Sequence, residues 1–217
     1  ATGKVISLVG AGGKSTLLYE LASRCAHQGM DALVTTSTHI YHPNDDHFCS
    51  SFSQCEEKWR QNTYAVWADD QNTGKLTPLD PDSFAMALRA DRVLIEADGA
   101  RHFPCKAPAL HEPQIPAETD TVVGVLGLSA LGKRITEACL RADETARLLG
   151  CTAGHRLTPE DLALLLSSSL GQRKHVNDRN YFAVLNQADL LKDQEAARTI
   201  LQLLSDQQIP AALSCFS

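Results

Sequence analysis

The stretch Val5-Ile-Ser-Leu-Val-Gly-Ala-Gly-Gly-Lys-Ser-Thr16 leaves this chain few folds to adopt. Val5 to Val9 is an apolar run short enough to be one buried strand. Glycines follow at Gly10, Gly12 and Gly13, then Lys14-Ser-Thr16, and a helical face of Leu17, Leu18, Leu21, Ala22 and Cys25 begins at once. Strand, glycine loop, lysine, hydroxyl and helix in that order make a phosphate-binding loop. Glycines let backbone N–H groups converge on an anion, and the helix N-terminus adds positive potential. The amides from Gly10 through Ala11, Gly12, Gly13, Lys14, Ser15 and Thr16 are expected to hold the phosphates. Lys14 reaches the terminal ones and Ser15 ligates Mg²⁺.

The loop reads G-x-x-G-K-S, shorter than the usual G-x-x-x-x-G-K-[ST], because position 8 is Leu8. In this it resembles the loops of Mur ligases. A second stretch, Gly127-Leu-Ser-Ala-Leu-Gly-Lys133, has the full spacing but carries Arg134 where the metal-binding hydroxyl belongs. It is read as a strand-to-helix loop that presents Lys133 or Arg134 to an anion.

Later stretches supply the rest of a nucleotide site. Asp31-Ala-Leu-Val-Thr-Thr36 reads as a strand that leaves through hydroxyls, with Thr36 or Thr38 expected at Mg²⁺ or the terminal phosphate. Arg92-Val-Leu-Ile-Glu-Ala-Asp-Gly99 is an apolar strand ending in Glu96 and Asp98, the acids expected to hold Mg²⁺ and orient water. The proline-rich segment that follows carries Arg101, His102, Lys106, His111 and Glu112, expected at a substrate or in a switch. Tyr181-Phe-Ala-Val-Leu-Asn-Gln-Ala-Asp-Leu190 is a strand followed by the Asn-[Lys/Gln]-x-Asp pattern of GTPases. There Asn186 braces the loop, Gln187 packs over the base, and Asp189 accepts from guanine N1–H and N2–H₂, donors that adenine lacks. Ala211 to Cys215 is the last expected strand.

Composition narrows the classes. A chain of 217 residues, 43% hydrophobic, can bury one good core, and a formal charge of −6 argues against nucleic acid as a partner. No apolar run is long enough for a membrane helix. Seven cysteines without a C-x-x-C pair suggest reduced thiols and a cytoplasmic protein. The loop lies so close to the start that no signal peptide is expected, and the absent initiator Met is read as trimming. His39, His42, Asp45, Asp46, His47 and Cys49 have the ligand chemistry for Zn²⁺ but no recognised spacing. Gln71 to Gly74 reads as a hairpin turn, Tyr64 to Trp67 as a short strand, and Thr158-Pro-Glu-Asp161 as a capped helix start.

With these motifs together, the chain resembles the YqeC family. The matching pieces are Val9-Gly-Ala-Gly-Gly-Lys-Ser-Thr16, Thr35-Thr-Ser-Thr-His39, Leu94-Ile-Glu-Ala-Asp-Gly-Ala-Arg101, Lys106-Ala-Pro-Ala-Leu-His-Glu-Pro113 and Leu185-Asn-Gln-Ala-Asp189. The resemblance implies a P-loop nucleotide-binding protein that serves maturation of a selenium- and molybdenum-containing hydroxylase. Its partners would be such a hydroxylase or a cofactor-maturation protein. Many nucleotide switches with this loop are dimers, so a homodimer is one expected state.

The expected fold is α/β: a three-layer P-loop NTPase-like domain over residues 1–217 with a mainly parallel sheet and a helical sub-lobe at about 135–175. The expected function is Mg²⁺-dependent binding of a purine nucleotide, GTP before ATP, with hydrolysis assisted by Lys14, Glu96 and Asp98. Two alternatives stay open. One is an ATP-dependent kinase or ligase whose acidic acceptor meets Arg101, Lys133 or Arg134. The other is a non-catalytic delivery protein in which nucleotide toggles a docking surface around Lys106 to Pro116. Cys105 is the thiol nearest the proposed site in sequence.

Overall fold

Runs of β-branched and aliphatic residues that are buried on both faces favour parallel sheet, and the chain has several. In a computed structural model, residues 3–43, 46–71, 74–191 and 194–215 are described. They divide into two units, Ala1–Leu8, Ser15–Gly99 and Gln114–Thr121 in the first, Val9–Lys14, Ala100–Pro113 and Val122–Ser217 in the second.

The first unit takes in β1 (Val5–Gly10) as far as Leu8, α1 (Lys14–His27) from Ser15 onward, and β2 (Ala32–Thr36). It continues through β3 (Ile40–Tyr41), β4 (Phe48–Cys49), α2 (Phe52–Arg60), β5 (Ala65–Trp67), β6 (Asp69–Asp70), β7 (Lys75–Thr77), α3 (Pro81–Ala87) and β8 (Arg92–Glu96). Strands β1, β8, β2, β5 and β4 lie side by side and parallel. The register sets Leu8 and Thr36 on either side of Glu96, so the end of β2 flanks the acid strand. Every other residue of these strands, Val5, Leu33, Val93 and Ile95, joins Phe52, Cys55, Ala87 and Trp67 in one apolar cluster. Each such aliphatic side chain stabilises the fold by roughly 1.5–3 kcal/mol when fully buried. Trp59 adds a hydrogen bond from its indole nitrogen to Ala32 O at 2.9 Å. Strands β6 and β7 pair antiparallel, as a hairpin at Gln71 to Gly74 requires, although Asn72 and Thr73 of that turn lie outside the described residues.

The second unit contains β9 (Cys105–Lys106), β10 (Thr121–Gly127), α4 (Ile135–Ala138), β11 (Cys139–Leu140), α5 (Ala142–Leu149), α6 (Pro159–Ser167), β12 (Asn180–Asn186), α7 (Glu195–Asp206) and β13 (Ala211–Leu213). Helices α4, α5 and α6 follow one another between Ile135 and Ser167. Their apolar faces share a core of Ile135, Ala146, Leu162, Leu165 and Leu166 with Leu126, Leu185, Ile200 and Leu204. Cys105 is fully buried there opposite Cys139. The hydrogen bond that its own thiol donates to Cys139, with burial, pushes the Cys105 thiol far above its ordinary value. This describes an inert core residue, and not a thiol open to chemistry.

The result is an α/β fold with a mostly parallel eight-stranded central sheet, ordered β13-β12-β10-β1-β8-β2-β5-β4 and flanked by helices. It is consistent with the three-layer P-loop NTPase-like architecture expected. No helix of the described residues is long and apolar enough to cross a membrane.

Thr158 caps α6 as its sequence foretells: its hydroxyl accepts from Asp161 N while the Asp161 carboxylate accepts from Thr158 N, with Pro159 in the first turn. Thr158→Ala is expected to lower stability by about 1 kcal/mol in urea denaturation. An unchanged midpoint would mean the cap contributes nothing.

Candidate functional site

The glycine loop closes because its backbone goes where side chains do not fit. Gly12 has φ +86°, and a Cβ there would overlap the backbone nitrogen of Gly127. Gly13 has φ +103°, and its Cβ would overlap the Asn186 amide. The loop is also tied by hydrogen bonds within the second unit: Ala11 N donates to Val125 O at 2.9 Å and Gly12 N to Phe103 O at 3.0 Å. Within the stretch Gly10 to Thr16, the Ala11 and Gly12 amides are thus occupied by carbonyls, and the amides from Gly13 onward lie at the N-terminus of α1. Lys14 is only 3% exposed, and its ammonium donates to Gly10 O at 2.8 Å.

Three side chains hold this loop from behind. Asn186 Nδ2 donates to Gly12 O at 2.8 Å, and Ser214 Oγ donates to Asn186 Oδ1 at 3.0 Å. Gln172 lies against Gly10 and donates to Lys106 O at 3.2 Å. Asn186 thus braces the glycine loop. Gln172 and Ser214 were invisible in the sequence, since neither sits in a recognisable spacing. Gln187 departs from expectation. Its backbone is left-handed at φ 63° and its Oε1 accepts from Ser129 Oγ at 2.7 Å, which holds the side chain over Gly127 and Ser129. Asp189 sits exposed in the 3₁₀ turn Ala188–Leu190.

In the first unit, Ser15 Oγ donates to Glu96 Oε2 at 2.7 Å. Glu96 is 6% exposed and Asp98 1%. Strand β8 ends at Glu96, so the alternation that would set both carboxylates on one side stops before Asp98. The hydroxyl and carboxylate oxygens of Ser15 and Glu96 are hard donors suited to Mg²⁺. Thr36 is a correction. Its hydroxyl donates to Glu96 O at 2.9 Å and accepts from Thr38 N at 3.0 Å, so it locks the strand end and is not poised for a metal.

The proline-rich segment also differs from expectation. Lys106 is fully buried, its ammonium 2.6 Å from Glu112 Oε2, and Arg141 grips both Glu112 oxygens at 2.8 Å. Ala109 N completes the set. Burial pushes the Glu112 carboxyl up, but hydrogen bonding and attraction from Lys106, joined by Arg141, outweigh it and leave the group below its ordinary value. Lys106 and Glu112 thus form an internal clamp within the second unit. Arg101 and His111 are exposed, Arg101 in a left-handed conformation. Lys133 and Arg134 are exposed too. The Lys133 amide donates to Ala130 O, Leu128–Ala130 is a 3₁₀ turn, and Arg134 N is held by Glu137, so this second glycine stretch is no phosphate cradle.

The histidine cluster does not assemble. His47 stacks on Tyr64 with ring centres 3.9 Å apart, His42 packs on Phe48, and Asp45 lies outside the described residues. Among the described residues no three His, Cys, Asp or Glu side chains form a metal-binding group.

Two comparisons bear on this chain. The family model described as "YqeC protein" matches residues 6–143. A protein of Escherichia coli (strain K12), "Uncharacterized protein YqeC", is 35% identical over 188 residues, covering 79% of this chain and 71% of the relative.

Glu112→Gln leaves two cations sharing a neutral amide. It is expected to cost about 3–5 kcal/mol at pH 7 in urea denaturation. Because the folded carboxyl titrates below its unfolded value near 4.5, its stabilisation is complete above that pH and is lost as pH falls through the depressed value. The wild type should lose stability on that acid limb, and the variant should lack it.

Proposed function

The chain belongs to the YqeC family, and we propose that it is a Mg²⁺-dependent purine nucleotide-binding protein, GTP-preferring and hydrolytic, working in the cytoplasm. The observation that carries this reading is the 2.7 Å hydrogen bond from Ser15 to Glu96, placed directly after a glycine loop at the head of α1. A loop hydroxyl tied to a strand-end carboxylate is the donor set that P-loop proteins use for the ion accompanying the phosphates.

Each residue then has a task. Amides from Gly13 to Thr16 bind phosphate oxygens. Lys14 exchanges Gly10 O for the terminal phosphate, where its charge offsets the charge that builds as the phosphoryl group loosens. Ser15 and Glu96 would hold Mg²⁺, which when bound neutralises charge on the phosphates. With Glu96 engaged by Ser15, orientation of the attacking water falls to Asp98. Asn186 supports the loop and Asp189 reads the guanine edge. The process served is the one the family resemblance implies, maturation of a selenium- and molybdenum-containing hydroxylase, with that enzyme or its cofactor-maturation proteins as partners.

The test is equilibrium binding of GTP and ATP to wild type, Lys14→Ala and Asp189→Asn. Lys14→Ala should weaken both nucleotides by about a hundredfold, because it removes a buried charge-assisted contact. Asp189→Asn should weaken GTP by about tenfold and leave ATP unchanged. Wild-type affinity in Lys14→Ala would break the phosphate-loop assignment. A wild-type preference for ATP, indifferent to Asp189, would reduce the base motif to a helix cap.

A further inference from the structure

The exit of β2 is pinned more firmly than a connecting turn needs. Glu96 O accepts from both Thr36 Oγ1 and Ser37 N, at 2.9 and 3.1 Å. Ser37 Oγ donates to Gln114 O, and Gln114 N donates to Ala97 O. Thr38 N donates to Thr36 Oγ1 at 3.0 Å. Thr36 and Ser37 therefore have their hydroxyls engaged by the protein. Thr38 does not: its Oγ1 is shielded from solvent and finds no hydrogen-bond partner among the described residues. A buried hydroxyl left unpaired loses its hydration with nothing in return. The chain thus fixes the turn with its neighbours and holds one donor ready for something it does not itself supply.

Thr35 Oγ1 is also buried and unpartnered, yet its place differs. Thr35 lies within β2 opposite Ile95, two residues from Leu33, and both of those belong to the apolar cluster. By strand alternation its side chain shares that apolar side. Thr38 lies two residues beyond the C-terminal end of β2, whose last residue, Thr36, pairs with Glu96 at the end of β8; parallel α/β proteins bind ligands at this end of their strands.

We infer that the Thr38 hydroxyl is a ligand-binding donor that recognises an oxygen of the terminal phosphate, so that this turn distinguishes a nucleoside triphosphate from a diphosphate. This rests on the nucleotide reading above and deepens it. Of the two threonines expected at Mg²⁺ or the terminal phosphate, Thr36 and Thr38, it keeps the second. Thr36 becomes the residue that positions Thr38, and its own hydroxyl stays with Glu96 O.

The experiment compares wild type with Thr38→Val, Thr35→Val and Thr36→Val. Each ligand-free protein is melted, then titrated with Mg²⁺ and either GDP or a non-hydrolysable GTP analogue. Thr38→Val should melt at or above wild type, since it removes an unpaired hydroxyl. It should bind the triphosphate about tenfold more weakly with GDP affinity unchanged. Thr36→Val should melt below wild type, and Thr35→Val should bind both ligands as wild type does. A Thr38→Val protein that keeps the wild-type triphosphate-to-diphosphate ratio overturns the inference. So does one that melts several degrees low, because the hydroxyl then has a structural partner. Loss of discrimination in Thr35→Val instead would assign the donor to the wrong threonine. Wild-type protein that binds neither nucleotide would bring down the nucleotide reading itself, and this inference with it.

Discussion

Closure of the glycine loop is the constraint on which the rest of this molecule depends. At Gly12 and Gly13 the backbone is left-handed, and a methyl group at either would collide with Gly127 or Asn186. An L-residue would meet both a conformational penalty and a steric one, and α1 could then not begin at Lys14 directly behind the loop. That abrupt strand-to-helix passage is what puts Lys14, Ser15 and the first amides of a helix at one point of the chain. The hydrogen bonds to Val125 O, Phe103 O and Asn186 hold the loop in this closed form.

Charge is handled in two contrasting ways. Around Glu112 every polar atom is matched: two oxygens take Lys106, Arg141 and the Ala109 amide, and the clamp pins the segment whose Phe103 and Pro104 carbonyls accept from Gly12 and Gly127. Desolvating three charged groups is costly, and their mutual pairing offsets it only while all three are present. At the end of β2 the matching is incomplete, with one hydroxyl held and unused.

Much of this was legible in the sequence because buried parallel strands read as continuous apolar runs. Val5 to Val9, Asp31 to Thr36 and the strand opening at Arg92 were found on that basis, the last expected to reach Asp98 but ending at Glu96. Helices α2 and α3 were not foreseen. Phe52, Cys55 and Trp59 have helical spacing, but a polar background hides it, and the Asp80-Pro81 cap of α3 was a readable signal passed over. The larger misreading was of long charged side chains. Lys106 and Glu112 look like surface or substrate residues because lysine and glutamate are rarely buried, and only their pairing across a turn, with Arg141 from a distant segment, explains the exception. Thr36 was misplaced for a related reason: its partner is a backbone carbonyl on a neighbouring strand, which spacing along one strand does not reveal.

The most direct test of the central claim, that this loop binds a nucleoside triphosphate with Mg²⁺, is calorimetric titration of the wild-type protein with GTP in the presence of Mg²⁺ and again with the ion chelated. One saturable site is expected, with a dissociation constant of about micromolar or tighter, weakened severalfold or more without the ion. Absence of saturable binding up to millimolar nucleotide under both conditions would contradict it, and would leave the glycine loop as a turn that joins a strand to a helix.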